Sequence, residues 1–190
     1  MILTPDLKNR VAMVTCASRG IGAAIAVALA EAGAAVGLNY RERADAANAL
    51  AADINAAKGR AVAIAADVSK AADVARMVEH ATSQLGPIDI LVNNAGIATV
   101  RGVDDLSEED FDRTIAVNLK SAFLCTQAVL PAMRKKKWGR IVNVSSGAAR
   151  GAGAIGPHYN ASKAAMEGLT RGYAARLVKE GITVMRSRRH

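Results

Sequence analysis

The sequence predicts an α/β fold, in which a doubly wound parallel sheet is covered by helices on both faces. Short apolar runs alternate with longer helical patterns five times, and no hairpin signal joins neighbouring runs. Of the residues, 51% are apolar but only 3% are aromatic, and the abundance of alanine and glycine suits close packing of helices on a sheet. With 190 residues, the chain is expected to form one domain with a sizeable core.

Each element is assigned from its pattern and from the residues that bound it. The predicted strands are the short apolar runs at 11–15, 35–39, 61–65, 88–92 and 140–145. The predicted helices cover 23–31, 44–58, 70–85, 107–137 (in one or two pieces) and the stretch after 159. Gly33 and Gly59 end the first two helices. The acidic residues after Ser107 favour a helix start there.

The first turn has the composition of a phosphate cradle. Small residues and glycines at 16–22 lie between the first strand and an alanine-rich helix. Free backbone N–H groups and the helix dipole would therefore face an incoming anion. Gly20 would allow close approach of the backbone, and Gly22 would allow close helix packing. We expect a dinucleotide to bind here.

The end of the second strand predicts which dinucleotide binds. Dinucleotide folds select NAD with an acidic residue at this position and NADP with a basic one. Neither Asn39 nor Tyr40 is acidic, whereas Arg41 follows and Arg19 lies in the first turn. NADP is therefore favoured over NAD. The alternative is that Arg41 is a solvated loop charge beside Glu42.

Tyr159 and Lys163 are the strongest candidates for chemistry. They lie four residues apart in a predicted helix and so share one face. An ammonium within roughly 4–6 Å of a phenol favours the phenolate and lowers the phenol pKa by roughly 1–3. Ser146 falls at the carboxyl end of the strand at 140–145, where α/β sheets bind ligands, and its hydroxyl could hold the reacting oxygen. His158 is a candidate substrate contact or, as the favoured alternative, a loop cap.

Charge and cysteine content favour an intracellular protein. The formal net charge is +8, and a basic nucleic-acid binder is an alternative that rests on charge alone. The basic cluster at 134–137 ends a predicted helix, where cations complement the dipole. Cys16 and Cys125 have no framework spacing, and the sequence has no metal-ligand cluster, signal peptide or apolar run of membrane-spanning length. A soluble cytoplasmic protein without nucleic-acid or membrane partners is expected.

Over about residues 7–184, the chain resembles the short-chain dehydrogenases/reductases that include 3-oxoacyl-[acyl-carrier-protein] reductases. Five motifs, in order, carry the resemblance: residues 15–22, Asp67-Val68, Asn93-Asn94-Ala95-Gly96, Asn118, and Ser146 with Tyr159-Asn160-Ala161-Ser162-Lys163. The interval of 13 from Ser146 to Tyr159 is the family's usual spacing. The resemblance implies a Rossmann-type sheet.

The resemblance also implies an oxidoreductase that passes a hydride between a nicotinamide C4 and a carbonyl or alcohol carbon, as in a 3-oxoacyl thioester or another ketone. Tyr159 would be the general acid in reduction and the base in oxidation. Lys163 would bind the nicotinamide ribose and lower the tyrosine pKa, Ser146 would fix the substrate oxygen, and Asn118 would hold a relay water. A homodimer or homotetramer would form through the helices that carry Asn118 and Tyr159.

The same resemblance implies a set of cofactor-binding residues. These are Thr15, Ser18, Arg19, Gly20, Ile21, Gly22, Tyr40, Arg41, Asp67, Val68, Asn94, Ala95, Gly96, Tyr159 and Lys163. Within the set, Asp67 would contact adenine and Asn94 the adenosine ribose. One position departs from the family pattern, since Cys16 stands where the family has glycine. If φ there is positive, the side chain costs on the order of 1 kcal/mol, and we expect weakened cofactor affinity.

The end of the sequence departs further. After Val184 the family continues with a short strand, a Pro-Gly turn, a segment that covers the substrate and a final strand. This chain has Met-Arg-Ser-Arg-Arg-His at 185–190. We interpret 1–184 as a single domain that lacks the last strand or strands, and 185–190 as an aberrant basic tail.

A frameshift would explain the tail. Codons that encode residues 185–190 could, when read in a shifted frame, encode Asn-Ala-Val-Ala-Pro-Pro. The alternative is a naturally short or deliberately cut chain. The second functional hypothesis follows from this end and from Cys16: a catalytically impaired family member that acts only as a dimerising or cofactor-binding module.

Overall fold

Six strands and six α-helices alternate along residues 6–189, the part of the chain that the computed structural model describes. The strands are β1 (Val11–Val14), β2 (Ala35–Tyr40), β3 (Arg60–Ala65), β4 (Ile90–Asn93), β5 (Gly139–Ser146) and β6 (Ile182–Arg189). The helices are α1 (Gly20–Glu31), α2 (Ala44–Ala56), α3 (Ala71–Leu85), α4 (Glu108–Ile115), α5 (Ser121–Lys136) and α6 (Pro157–Leu177). Every strand and helix predicted from the sequence pattern is present.

The strands form one sheet in the order β3-β2-β1-β4-β5-β6, and all neighbouring pairs are parallel. The strand order reverses between β1 and β4. A crevice therefore opens at the carboxyl ends of these two strands, which is where doubly wound folds bind their ligands. The predicted Rossmann-type fold class is confirmed.

Apolar side chains fill a core on each face of the sheet. Along β1, Val11 and Met13 join the core that contains residues of α3, α5 and α6, whereas Ala12 and Val14 join the core that contains residues of α1 and α2. Successive residues of a strand point to opposite faces, so a strand that is apolar throughout must be covered on both sides. Packing on both faces holds the strands, and therefore their carboxyl ends at the crevice, in place.

A π-helical turn, Ala116–Lys120, joins α4 to α5 in one continuous helix. The Ser107 hydroxyl caps α4 by accepting a hydrogen bond from the Asp110 N–H at 3.1 Å, as the acidic helix start predicted. The π-helical turn carries Asn118 and buries it completely. Such turns are rare and are frequently found at functional sites.

The stretch Glu108–Lys136 is, within the described residues, the one helix long and apolar enough to cross a membrane by length and composition. The whole helix is long enough to span a membrane, although no uninterrupted run of apolar residues in it is that long. Cys125, Val129 and Met133 of this stretch are buried in the core against the sheet. Packing in the core therefore accounts for one face of this apolar helix.

The last strand, β6, runs parallel to β5 over the whole length from Gly139 to Ser146. The domain boundary predicted after residue 184 falls inside this strand, so residues 185–189 extend the sheet edge. A frameshift as the origin of these residues stays a prediction, and His190 lies outside the described residues.

The basic cluster ends α5, as predicted. Arg134 pairs with Glu180 at 2.6 Å and Lys136 pairs with Asp89 at 2.7 Å, so two of its four cations are engaged within the fold. This arrangement supports the interpretation of the cluster as a helix end.

Candidate active site

The crevice between β1 and β4 has a cavity volume of about 170 Å³. Its lining consists of residues from the strand ends and the loops that follow them: Cys16, Ser18, Arg19, Asn39, Arg41, Glu42, Arg43, Ala66, Asp67, Val68, Ala95, Gly96, Ile97 and Val117. Seven of the predicted cofactor residues are among them: Ser18, Arg19, Arg41, Asp67, Val68, Ala95 and Gly96. The structure therefore gathers residues from three of the five motifs, together with Arg41 from the end of the second strand, around one cavity.

The start of α1 has the features of an anion site. No side chain caps this helix, and its first turn has no acidic residue, so its N–H groups are available to a ligand. Gly20 has φ +57°, and a Cβ placed on it would meet nothing within 4 Å. A Cβ on Gly22 would lie 2.3 Å from the Cys16 carbonyl oxygen. The two glycines on either side of Ile21 thus have the open approach and the close packing that the sequence predicted.

Cys16 occupies the left-handed region, with φ +54°, and is exposed. The positive φ on which the predicted strain depended is therefore confirmed. The Cys16 N–H donates to Asn39 Oδ1 at 3.1 Å, and Asn39 Nδ2 donates to the Ala66 carbonyl at 3.1 Å. In the sequence, Asn39 was noted only because it is not acidic, and no structural role was assigned to it. Its signal was a polar residue near the end of an apolar strand.

Thr15 and Asn94 join the ends of β1 and β4. Thr15 Oγ1 accepts hydrogen bonds from the backbone N–H groups of Asn94 and Ala95, both at 2.9 Å. Asn94 Nδ2 in turn donates to the carbonyls of Thr15 at 3.0 Å and Cys16 at 3.1 Å. Both residues shape the turn without lining the cavity. The ribose contact expected of Asn94 stays a prediction, as does the contact expected of Tyr40 at the end of β2.

The nucleotide end of the crevice carries a net positive charge. Its lining includes three residues with guanidinium groups (Arg19, Arg41 and Arg43) and two with carboxylates (Glu42 and Asp67). Arg41 is 42% exposed and is paired with Glu42. The lining thus suits an anionic ligand.

Asp67 is held in its ionised form. Desolvation acts to raise the pKa of this carboxyl, but it is outweighed by hydrogen bonds from the Ser69 hydroxyl at 2.6 Å and the Ser69 N–H at 3.0 Å, so the pKa lies below its usual value. A carboxylate fixed in this way offers acceptor oxygens to a ligand in the crevice.

Tyr159 and Lys163 lie in the first turns of α6, which begins at Pro157. Both are buried, with exposed fractions of 8% and 4%. Lys163 Nζ lies 5.8 Å from the centroid of the Tyr159 ring and donates to the Val144 carbonyl at 3.0 Å. Val144 is two residues before Ser146 in β5, so the lysine is anchored to the strand that ends at the candidate serine.

Ser146 is half-buried at the end of β5. Its hydroxyl oxygen accepts a hydrogen bond from the Ala148 N–H at 3.2 Å. A hydroxyl that accepts in this way keeps its own proton to donate. Ser146 can therefore donate a hydrogen bond to a substrate oxygen.

Asn118 links the loop after β4 to the start of α6. Its Oδ1 accepts from the Ile97 N–H at 2.7 Å, and its Nδ2 donates to the Ile97 carbonyl at 3.0 Å and to Ser162 Oγ at 3.1 Å. Ser162 donates to the Tyr159 carbonyl at 2.7 Å. Sequence reasoning assigned no role to Ser162, although it lies inside the Tyr159–Lys163 motif.

Gly96 is the point where the crevice and the catalytic candidates meet. A Cβ placed there would lie 3.4 Å from Asn118 Oδ1 and 3.6 Å from Lys163 Nζ. Gly96 also lines the cavity. Gly96 thus connects the cavity to Asn118 and Lys163.

His158 is completely buried, and its Nε2 lies 3.1 Å from the Thr99 carbonyl. A carbonyl only accepts, so Nε2 donates in this hydrogen bond. The Arg101 N–H also donates to the Ile155 carbonyl at 2.9 Å. These bonds join the loop after β4 to the start of α6 and the loop before it. They favour the interpretation of His158 as a loop cap rather than as a substrate contact.

Similarity to known proteins gives the family, since the family model for short chain dehydrogenases matches residues 10–187. The chain belongs to the short-chain dehydrogenase/reductase family. It is 41% identical over 178 residues to a 3-oxoacyl-[acyl-carrier-protein] reductase of Synechocystis sp., covering 94% of this chain and 72% of that protein. It is 43% identical to a D-beta-hydroxybutyrate dehydrogenase of Cupriavidus necator, covering 93% of this chain and 68% of that protein.

Solved structures agree with this assignment. A blue fluorescent protein from a metagenomic library, solved in complex with NADPH, matches with a TM-score of 0.89 at 41% identity, over 95% of this chain and 74% of that one. The protein is therefore a family oxidoreductase similar to 3-oxoacyl-[acyl-carrier-protein] reductases.

Proposed function

We propose that this family member is an NADP-dependent reductase that interconverts a carbonyl and an alcohol, with a 3-oxoacyl thioester or another ketone as substrate. The observation that carries the proposal is the anchoring of Lys163 between the Tyr159 ring and the strand that ends at Ser146, beside the crevice at Gly96. The names of the curated relatives support the substrate class, and the NADPH-bound structure supports the cofactor.

Three side chains would carry the proton and hold the substrate. Tyr159 would give its proton to the carbonyl oxygen in reduction and accept it in oxidation. The Lys163 ammonium would attract the negative charge that develops on the phenol oxygen. The Ser146 hydroxyl would donate a hydrogen bond to the same substrate oxygen. Asn118 would hold a relay water beside them.

The residues of the crevice fit the cofactor. The uncapped start of α1 would hold the pyrophosphate, and Arg19 and Arg41 would hold the 2′-phosphate of NADP. Asp67, Val68 and Asn94 would hold the adenosine, while Tyr159 and Lys163 would hold the nicotinamide ribose. When bound, the nicotinamide supplies or accepts the hydride.

A homodimer, or a homotetramer built on the same contact, is part of the proposal. An apolar groove of about 390 Å³ runs between the helix that carries Asn118 and α6, and is lined by Leu119, Lys120, Phe123, Ala165 and Leu169. Phe123 remains 43% exposed in the monomer. A second copy would cover this surface. The protein would act in the cytoplasm.

Cys16 favours a second candidate function, that of an impaired module which dimerises or binds cofactor without turnover. Its exposed side chain lines the cavity beside the start of α1, and its φ is one that side chains disfavour. A side chain at this position would crowd the pyrophosphate and lower the affinity for the cofactor.

Fluorescence titration with NADPH, followed by turnover on a panel of ketones and 3-oxoacyl thioesters, tests the proposal. Saturable binding with turnover is the expected result. Binding without turnover would instead support the impaired module. Retention on RNA or DNA that is lost with added salt, without either property, would contradict both and support a nucleic-acid binder.

A further inference from the structure

Glu167 is a buried carboxylate that the proposed mechanism does not use. It lies one turn after Lys163 on α6, and its side chain is 5% exposed. Ser145 Oγ donates to Oε1 at 3.4 Å, and Arg150 Nε donates to Oε2 at 3.1 Å. Arg186 Nε lies 3.4 Å from Oε1. One side chain therefore contacts β5, the loop after β5, and β6.

The charge of Glu167 is retained in this buried place. Desolvation acts to raise the pKa of the carboxyl, but the hydrogen bond and charge of Arg150, with the charge of Arg186, outweigh it, so the pKa lies below its usual value. A buried carboxylate with two guanidinium partners makes directional, charge-assisted contacts. Such contacts fix the position of the segments that they join.

The positions of the partners along the chain give the network its meaning. Ser145 immediately precedes Ser146, and Arg150 follows the 3₁₀ turn Gly147–Ala149 that comes directly after it. Glu167 thus holds the chain on both sides of the candidate serine. It does so from the helix that carries Tyr159 and Lys163.

We propose that Glu167 is a positioning residue, which sets the Ser146 hydroxyl relative to the Tyr159 phenol by clamping residues 145–150 to α6. The proposal rests on the proposed function. The hydrogen bonds inside the turn are local, such as those from the Arg150 and Gly151 N–H groups to the Gly147 carbonyl at 3.1 Å. At the far end of the segment, Asn160 of α6 donates from Nδ2 to the Gly151 carbonyl at 2.8 Å, and Glu167 holds the part that is nearest to Ser146. Local bonds shape the turn but do not fix its distance from the helix.

Glu167→Ala removes the clamp and tests the proposal. Arg150 and Arg186 have side chains that are 54% and 30% exposed, so both can turn to water and the variant is expected to fold. Because a displacement of about 1 Å can cost on the order of a hundredfold in rate, we expect kcat to fall at least about tenfold. The Kd for NADPH should not change, since Glu167 is not in the crevice.

Two further variants separate positioning from a general loss of structure. Arg150→Lys keeps a cation beside Glu167 and should recover part of the kcat that Arg150→Met loses. Arg134→Met is the matched control, because it removes a comparable ion pair with Glu180, at 2.6 Å, that joins α5 to the turn before β6. Its kcat should equal that of the wild type.

Hydrogen–deuterium exchange supplies a readout that is independent of turnover. Amides of residues 147–151 should exchange faster in Glu167→Ala than in the wild type, while those of α3 stay unchanged. Wild-type kcat in Glu167→Ala, or unchanged exchange at 147–151, would overturn the proposal. If the wild-type protein shows no turnover, that result contradicts the proposed function. The exchange measurement alone then tests whether Glu167 clamps residues 145–150 to α6.

Discussion

The two ends of the proposed site, one catalytic and one that binds the nucleotide, differ in how firmly they are held. At the catalytic end, Tyr159, Lys163 and Asn118 are buried, and the side chains of Lys163 and Asn118 hydrogen-bond to the backbone. At the nucleotide end, Cys16 is exposed with a positive φ, and Arg41 is 42% exposed. Proton transfer needs fixed geometry, whereas an extended cofactor spreads its contacts over many groups. Substitutions at the first end should therefore change kcat, and substitutions at the second should change affinity.

Ser146→Ala tests the catalytic end. Loss of the hydroxyl that would hold the substrate oxygen should lower kcat on the order of a hundredfold, while the Kd for NADPH stays unchanged. Steady-state turnover and fluorescence titration measure the two quantities. Ser83→Ala, in α3 and away from the crevice, is the control. An unchanged kcat in Ser146→Ala would break the contrast between the two ends.

Arg41→Ala tests the nucleotide end and the choice of cofactor. Removing one charge-assisted contact to the 2′-phosphate should raise the Kd for NADPH about tenfold. The Kd for NADH, which lacks that phosphate, should stay the same. Arg76→Ala removes another exposed arginine, one paired with Asp73 on α3, and serves as the control. Equal losses for both cofactors would show that Arg41 does not select NADP.

Cys16→Gly should improve the nucleotide end. Glycine removes strain on the order of 1 kcal/mol at a positive φ, which stabilises the fold. It also removes a side chain that lines the cavity beside the start of α1, so the affinity for NADPH should rise about fivefold. Lys137→Gly is a matched control, since Lys137 also has a positive φ, +49°, but lies at the end of α5. Both variants should resist urea better than the wild type. Only Cys16→Gly should bind NADPH more tightly, and a gain in both or in neither would contradict this.

Glu167→Gln should have the smallest effect, on stability and its pH dependence. The folded-state pKa of Glu167 lies below its ordinary value of 4.5. The charge therefore stabilises the fold above that pH, and this contribution is lost as the pH falls through the folded-state value. Urea unfolding should show a wild-type advantage at neutral pH that shrinks in acid. An advantage that does not vary with pH would mean that the charge is not responsible.

Local sequence patterns were enough for the first five strands, the helices and the order of the site motifs. The glycines of the first turn and the Tyr159–Lys163 spacing have geometric causes that act within a few residues. The role of Asn39 was missed because it depends on a contact 23 residues away, and that of Ser162 because its partner Asn118 is 44 residues away. No local pattern specifies such pairs.

Two further features escaped prediction for related reasons. The π-helical turn Ala116–Lys120 depends on how the long helix packs, and its residues look like those of any helix. Met185–Arg189 has the composition of a solvated tail, yet it continues β6 because the backbone of β5 offers hydrogen-bonding partners as far as Ser146. Charged side chains are compatible with a strand at the edge of a sheet.

Single-turnover reduction by Tyr159→Phe tests the central claim most directly. Protein loaded with NADPH is mixed with a 3-oxoacyl thioester, and the loss of nicotinamide absorbance is followed. Tyr173→Phe is the control, because Tyr173 lies further along α6, where its hydroxyl accepts a hydrogen bond from Gln127 of α5 at 2.7 Å. The account predicts that Tyr159→Phe binds NADPH only about tenfold more weakly, through the loss of one ribose contact, but reduces on the order of a thousandfold more slowly, while Tyr173→Phe matches the wild type. Reduction by Tyr159→Phe at the wild-type rate would contradict it.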